Sequence, residues 1–140
     1  MEASAASDVY KRQALDPEDP GTPVFRGQLA ESLTVQALAD RLSVALDRSP
    51  LVIGEGDVTL VAWCTGAGQG YIDLAADAGA DVYVTGEVSE QTAHVALERG
   101  IAFIGAGHHA TERYGVQAVG SLAAEALGLS HEFIDIDNPA

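Results

Sequence analysis

From Leu33 onward the apolar residues fall into short runs and helical spacings that alternate regularly. Thr34 is placed to cap a helix in which Val35, Leu38, Leu42 and Leu46 recur at helical spacing, stopped before Pro50. A short apolar run over 51–53, a turn at Gly54-Glu-Gly-Asp57 and a clear strand over 58–64 follow. The pattern then predicts a helix over 71–78 closed by Gly79 and a strand over 81–84. Next come a helix from a Ser89 cap to Arg99 closed by Gly100, and a strand over 101–104. A helix over 110–127 ended by Gly128 and a last strand over 132–136 complete the series. Three successive strand–helix units with tight links require right-handed crossovers and a largely parallel sheet covered by helices. The run over 51–53, joined to the next strand by a four-residue turn, is expected to lie antiparallel to its neighbour. The class is α/β.

Residues 1–28 read differently. They hold three of the five prolines, Pro17, Pro20 and Pro23, with mixed charges and no sustained periodicity, so a loop or tail is expected there. The run Ser7-Asp-Val-Tyr-Lys-Arg-Gln13 resembles a translated sequencing adaptor, which would make 1–13 artefactual and the chain a fragment of a longer gene product. The domain proper is expected over 29–140.

Bulk properties narrow the function classes. At 140 residues the chain has room for one domain with a real core, burying about two-thirds of its unfolded surface. Seven Lys and Arg stand against 21 Asp and Glu, for a formal charge of −14, which repels polyphosphate backbones and argues against nucleic-acid binding. No stretch approaches the roughly 20 apolar residues that cross a bilayer. The polar start of the chain lacks the apolar core of a signal peptide. One cysteine, Cys64, excludes an intrachain disulfide, fits a reducing compartment, and reads as a small buried hydrophobe at a strand end. A soluble, acidic, cytoplasmic domain is expected.

The chemistry gathers at the strand ends. In a parallel sheet those C-terminal ends share one edge, where ligands bind. Here they carry Thr65-Gly66-Ala67-Gly68-Gln69-Gly70, then Thr85-Gly86-Glu87, then Gly107-His108-His109-Ala110-Thr111-Glu112. In the last helix Val116, Val119, Ala123 and Ala126 form one apolar stripe. One turn back, at about 100° per residue, Glu112 falls on its centre line. A carboxylate on a buried face is costly unless something positive meets it. His108 precedes Glu112 by one turn, and imidazole with carboxylate at that spacing over a strand end is a usual way to hold a divalent metal. Spacing leaves His109 in contention too, because i,i+3 also reaches Glu112. The plain alternative is a turn glycine, a capping histidine and a glutamate favoured by the helix dipole.

The glycine loop invites a nucleotide reading, with Glu87 about 20 residues on where a ribose-binding acid belongs. The spacing is GxGxG rather than GxGxxG and no P-loop lysine follows, so a tight strand-to-helix turn is the stronger alternative. Glu87 itself reads equally as a solvated residue ahead of the Ser89 cap, and His94 and His131 as surface residues without partners.

Ala62-Trp-Cys-Thr-Gly-Ala-Gly-Gln69, Val84-Thr-Gly-Glu-Val-Ser-Glu-Gln-Thr-Ala-His94, Ala106-Gly-His-His-Ala-Thr-Glu-Arg113 and Phe133-Ile-Asp-Ile-Asp-Asn-Pro139 occur together and in order. Over 29–140 the chain resembles the C-terminal half of the dinuclear-metal, ring-hexamer family of GTP cyclohydrolase I type 2 homologues, the Nif-three-like proteins. That resemblance implies an architecture of paired α-β-(β-α)₃ repeats, of which this chain carries the second. It implies two divalent metals per complete site (Zn, Fe or Mn), with His108 rather than His109, and Glu112, as ligands from this half. The remaining ligands of the family, a His-His pair and an Asp, have no counterpart here. It further implies a hexameric homo-oligomer and a metal-dependent hydrolase of GTP or a related nucleotide. Glu87 is then the candidate for proton transfer or substrate contact, and Thr65, Gly66, Gly68 and Thr85 for substrate contact, the loop meeting phosphate through its amides. On its own the chain is expected to be inactive. A non-enzymatic metal-binding module with a regulatory or scaffolding role in a ring is the alternative.

Overall fold

The computed structural model describes residues 13–16, 18–19, 21–136 and 138. Among these the elements run β1 (Gln13–Ala14), β2 (Phe25–Thr34), α1 (Val35–Leu46), β3 (Leu51–Ile53) and β4 (Asp57–Cys64). A single 3₁₀ turn (Gln69–Tyr71) leads into α2 (Ile72–Asp77), followed by β5 (Val82–Thr85), α3 (Glu90–Arg99), β6 (Ala102–Gly105) and α4 (His108–Leu127). Six strands form one sheet in the order β1-β2-β4-β5-β6-β3. The centre, β4-β5-β6, is parallel, as three strand–helix units demand. The flanks are antiparallel: β1 on β2, β2 on β4, and β3 on β6. Antiparallel pairings therefore outnumber parallel ones, so the sheet is more mixed than the sequence suggested.

Alternation along the parallel strands separates two faces. Val61, Val82, Ala102 and Ile104 point to one face, where Val35, Leu38 and Ala39 of α1 cover them. Ala62, Cys64, Tyr83 and Phe103 point to the other, under Ile72 and Ala75 of α2 and Ala96 of α3. Local chemistry sets the helix ends. The Thr34 hydroxyl accepts from the Ala37 amide, and Ser89 and Thr92 form a reciprocal capping box. Gly100 and Gly128 close α3 and α4 in left-handed conformation.

Four expectations need correction. The loop expected over 1–28 gives way, from Gln13 on, to ordered sheet: β1 pairs with β2, and Leu15 and Val24 are buried in the core. The adaptor-like run lies, apart from Gln13, outside the described residues. The strand 51–53 is antiparallel, but to β6 rather than to the strand that follows its turn. The strand expected over 132–136 does not form, because β3 already occupies the edge of β6. The stripe Val116, Val119, Ala123, Ala126 is also not buried: Ala110 is the one buried residue of α4. Among the described residues no helix is long and apolar enough to cross a membrane.

Candidate metal centre

The three strand ends meet on one rim. The end of β5 delivers Glu87, the end of β6 runs through Gly107 into the first turn of α4, and the loop after β4 is bonded to both. Backbone bonds lock the loops together: the Gly86 amide donates to Gly66 O at 3.0 Å and the Gly107 amide to Gly86 O at 3.0 Å. Two glycines permit this approach. Gly66 adopts φ +67°, and a Cβ there would collide with Glu112 Oε1. A Cβ on Gly86 would lie 2.8 Å from His108 Cα.

The structure brings Glu87, His108 and Glu112 together. His108 Nε2 lies 3.1 Å from Glu112 Oε2 one helical turn on, and His108 Nδ1 lies 2.6 Å from Glu87 Oε1. Glu87 Oε2 accepts from Gln69 Nε2 at 3.3 Å, so both of its oxygens are engaged. Glu112, on the centre line of a stripe expected to be buried, keeps half of its side-chain surface exposed. Its approach to His108 was expected all the same. The hydrogen bond to Glu87, with the Glu112 charge behind it, raises the His108 imidazole above its ordinary pKa. All three residues line a cavity of about 450 Å³, together with His109, Arg113 and Phe133.

His109 turns elsewhere. Its Nε2 sits 2.9 Å from Asp135 Oδ1, and Arg113 donates to Asp135 Oδ2 at 2.8 Å. The bond from His109, reinforced by Arg113, holds the Asp135 carboxyl below its usual pKa range. Arg113 also donates to Leu46 O at 2.7 Å and Tyr114 to Ala45 O at 3.0 Å, satisfying carbonyls at the end of α1. Asp135, Arg113 and Gln69 were not singled out as site residues from the sequence, because their partners lie far along the chain. His94 and His131 do have neighbours: His94 lies 3.9 Å from Glu90, and His131 Nδ1 is 3.4 Å from Ser121 Oγ.

The residues expected to meet substrate through the glycine loop are largely spent within the fold. The Gly66 amide donates to Thr111 Oγ1 and the Gly68 amide to Thr85 Oγ1, each at 3.2 Å. Thr85 is buried and its hydroxyl also donates to Gly66 O, while Tyr83 donates to Gly68 O at 2.6 Å. Of these candidates Thr65 alone is exposed. Cys64 is buried, and desolvation raises its thiol, which suits a small buried hydrophobe.

The donor set fits a divalent metal in part. A metal-binding histidine characteristically gives its second ring N–H to a carboxylate, which leaves the other nitrogen free to coordinate. Glu87 on Nδ1 with Nε2 beside Glu112 is that arrangement. Among the described residues no group of three or more His, Cys, Asp or Glu is arranged to hold an ion. Among the described residues, His108 Nε2 and Glu112 are the two donors that face each other.

Comparison with known proteins agrees with the fold and motifs. The chain is 52% identical over 127 residues to the GTP cyclohydrolase 1 type 2 homolog of Pseudomonas aeruginosa, covering 90% of this chain and 50% of that protein. It is 48% identical over 136 residues to the protein of the same name from Haemophilus influenzae, covering 95% of this chain and 54% of that protein. The solved structure of protein ybgI, described as of unknown function, superposes with a TM-score of 0.84 at 42% identity, over 99% of this chain and 56% of that one. The chain thus spans about half the length of the relatives it matches. The family description Duf34/NIF3 (NGG1p interacting factor 3) matches residues 11–139, and the chain belongs to that family.

Proposed function

We propose that this chain supplies one side of a divalent-metal site in a metal-dependent hydrolase, with His108 Nε2 and Glu112 as its ligands. The observation that carries this is the pairing of the two ring nitrogens of His108, Nδ1 with Glu87 and Nε2 with Glu112. A bound divalent ion would supply Lewis acidity and an activated water for hydrolytic attack. The chain's own residues hold the donors in place: the Gly66 backbone sits against Glu112, and Thr111 ties that loop to the first turn of α4. The cavity beside them would take the substrate, and of the loop residues expected to meet it Thr65 is the exposed one. The relatives' name suggests GTP or a related purine nucleotide as substrate, and two metals with a His-His pair and an Asp from the rest of a longer protein would complete the site.

A second reading is a non-enzymatic module that assembles into a ring. The outer face of α4 favours it, with Val116, Val119 and Leu122 each more than 60% exposed. Metal-dependent turnover of GTP by a full-length protein carrying this half supports the first reading. Metal binding and ring assembly with no turnover support the second. For the site itself, zinc titration with His108→Ala as control is the test. An alanine variant that binds zinc as the parent does would remove His108 from the ligand set.

A further inference from the structure

The His108 ring is clamped from outside its own helix. Glu87 belongs to the loop after β5, and its Oε1 lies 2.6 Å from Nδ1, against 3.1 Å between Nε2 and Glu112. Of the two contacts, the shorter holds the ring proton more firmly when the imidazole is neutral. Glu87 is in turn gripped by Gln69, whose Nε2 donates to Oε2 at 3.3 Å. The cost of that grip is visible: Gln69 Oε1 is buried with no hydrogen-bond partner among the described residues. Turning the amide over would bring its oxygen against the Glu87 carboxylate, so the present orientation is the one that supports Glu87. Both oxygens of Glu87 are taken.

We infer that Glu87, braced by Gln69, is a positioning residue: it fixes His108 as the Nδ1–H tautomer and turns Nε2 toward Glu112. Only the purpose of that orientation rests on the metal reading above; the orientation itself stands apart from it. The test uses the 15N-labelled chain, stripped of metal, at a pH where the imidazole is neutral. Long-range 1H–15N spectra report the tautomer of each histidine, with His108→Ala identifying the His108 signals. The wild type should show His108 protonated at Nδ1. Glu87→Ala should lose that preference, and Glu87→Gln should keep it, because an amide oxygen still accepts the proton. Should the alanine variant fail to fold, Glu87→Asp, which shortens the reach, takes its place with the same expectation. Zinc titrated into each protein should bind at least about tenfold more weakly to Glu87→Ala than to wild type. A Glu87→Ala protein that keeps the Nδ1–H form overturns the inference whatever zinc does. If zinc leaves the wild-type His108 signals unmoved, the metal reading fails, and the tautomer comparison still decides the role of Glu87.

Discussion

At the scale of single residues, the site depends as much on a missing side chain as on those present. Gly66 sits at φ +67°, and the space where its Cβ would go is filled by the Glu112 carboxylate, with His108 Nε2 3.2 Å away. Gly79 has a similar φ of +75° but nothing within 4 Å of its Cβ position. The two glycines separate backbone strain from site disruption. Alanine in the left-handed region costs about 1–2 kcal/mol, so Gly66→Ala and Gly79→Ala should each lower stability by at least about that much in urea unfolding. Only Gly66→Ala should also abolish the zinc response of His108. Equal zinc binding by both variants would mean that Glu112 is not held at this spot. His108 and Glu112 were legible in the sequence because one helical turn relates them. The brace of Glu87 and Gln69 was not, since those residues are 18 apart and their meeting depends on two loops closing over the sheet edge.

At the scale of elements, parallel β4, β5 and β6 and the helices between them follow from patterns of period two and 3.6 with clear caps. The strand β2 was hidden. Three prolines precede it and its residues alternate irregularly between buried and exposed, with a register shift between Gln28 and Leu33. The last segment misled in the other direction. Phe133, Ile134 and Ile136 look like a strand, yet the sheet edge is occupied by β3, and side chains rather than a β ladder hold the segment. Asp135 is its anchor, bonded to His109 and Arg113 of α4. Its pKa is lowered in the fold, so its contribution is present above the ordinary carboxyl range and is lost as pH falls through the lowered value. Amide hydrogen exchange of residues 129–136 should therefore quicken, relative to the rest of the chain, below about pH 4. Asp135→Asn should show fast exchange at neutral pH and little further change on acidification. A segment equally protected in both proteins would show that Asp135 does not hold it. The capping box is a simpler case: Ser89→Ala should cost about 0.5–2 kcal/mol in thermal or urea unfolding, without affecting zinc.

At the scale of the whole molecule, α4 is out of proportion to its own support. Its 20 residues extend about 30 Å, yet Ala110 in its first turn is the one that is buried. The outer stripe of Val116, Val119, Ala123 and Ala126 continues along the helix from Glu112, so whatever covers that stripe also reaches the proposed metal ligands. Two forces then oppose each other: exposed apolar surface favours association, and a net charge of −14 resists it. Light scattering should show association that strengthens with salt and weakens in a Val119→Glu, Leu122→Glu double variant; a monomer independent of concentration and salt would count against this. The same geometry limits the chemistry. An ion held by two facing donors would keep most of its water shell, gain little geometric constraint and sit in a partly exposed site. The chain alone should therefore lose zinc on dialysis and hydrolyse GTP at no measurable rate. Joined to the remaining half of a full-length relative, it should retain metal through dialysis, and His108→Ala in the joined protein should lose it again. Metal content per chain after dialysis decides the matter. Two tightly held equivalents in the 140-residue chain alone would mean that the ligands lie elsewhere than His108 and Glu112.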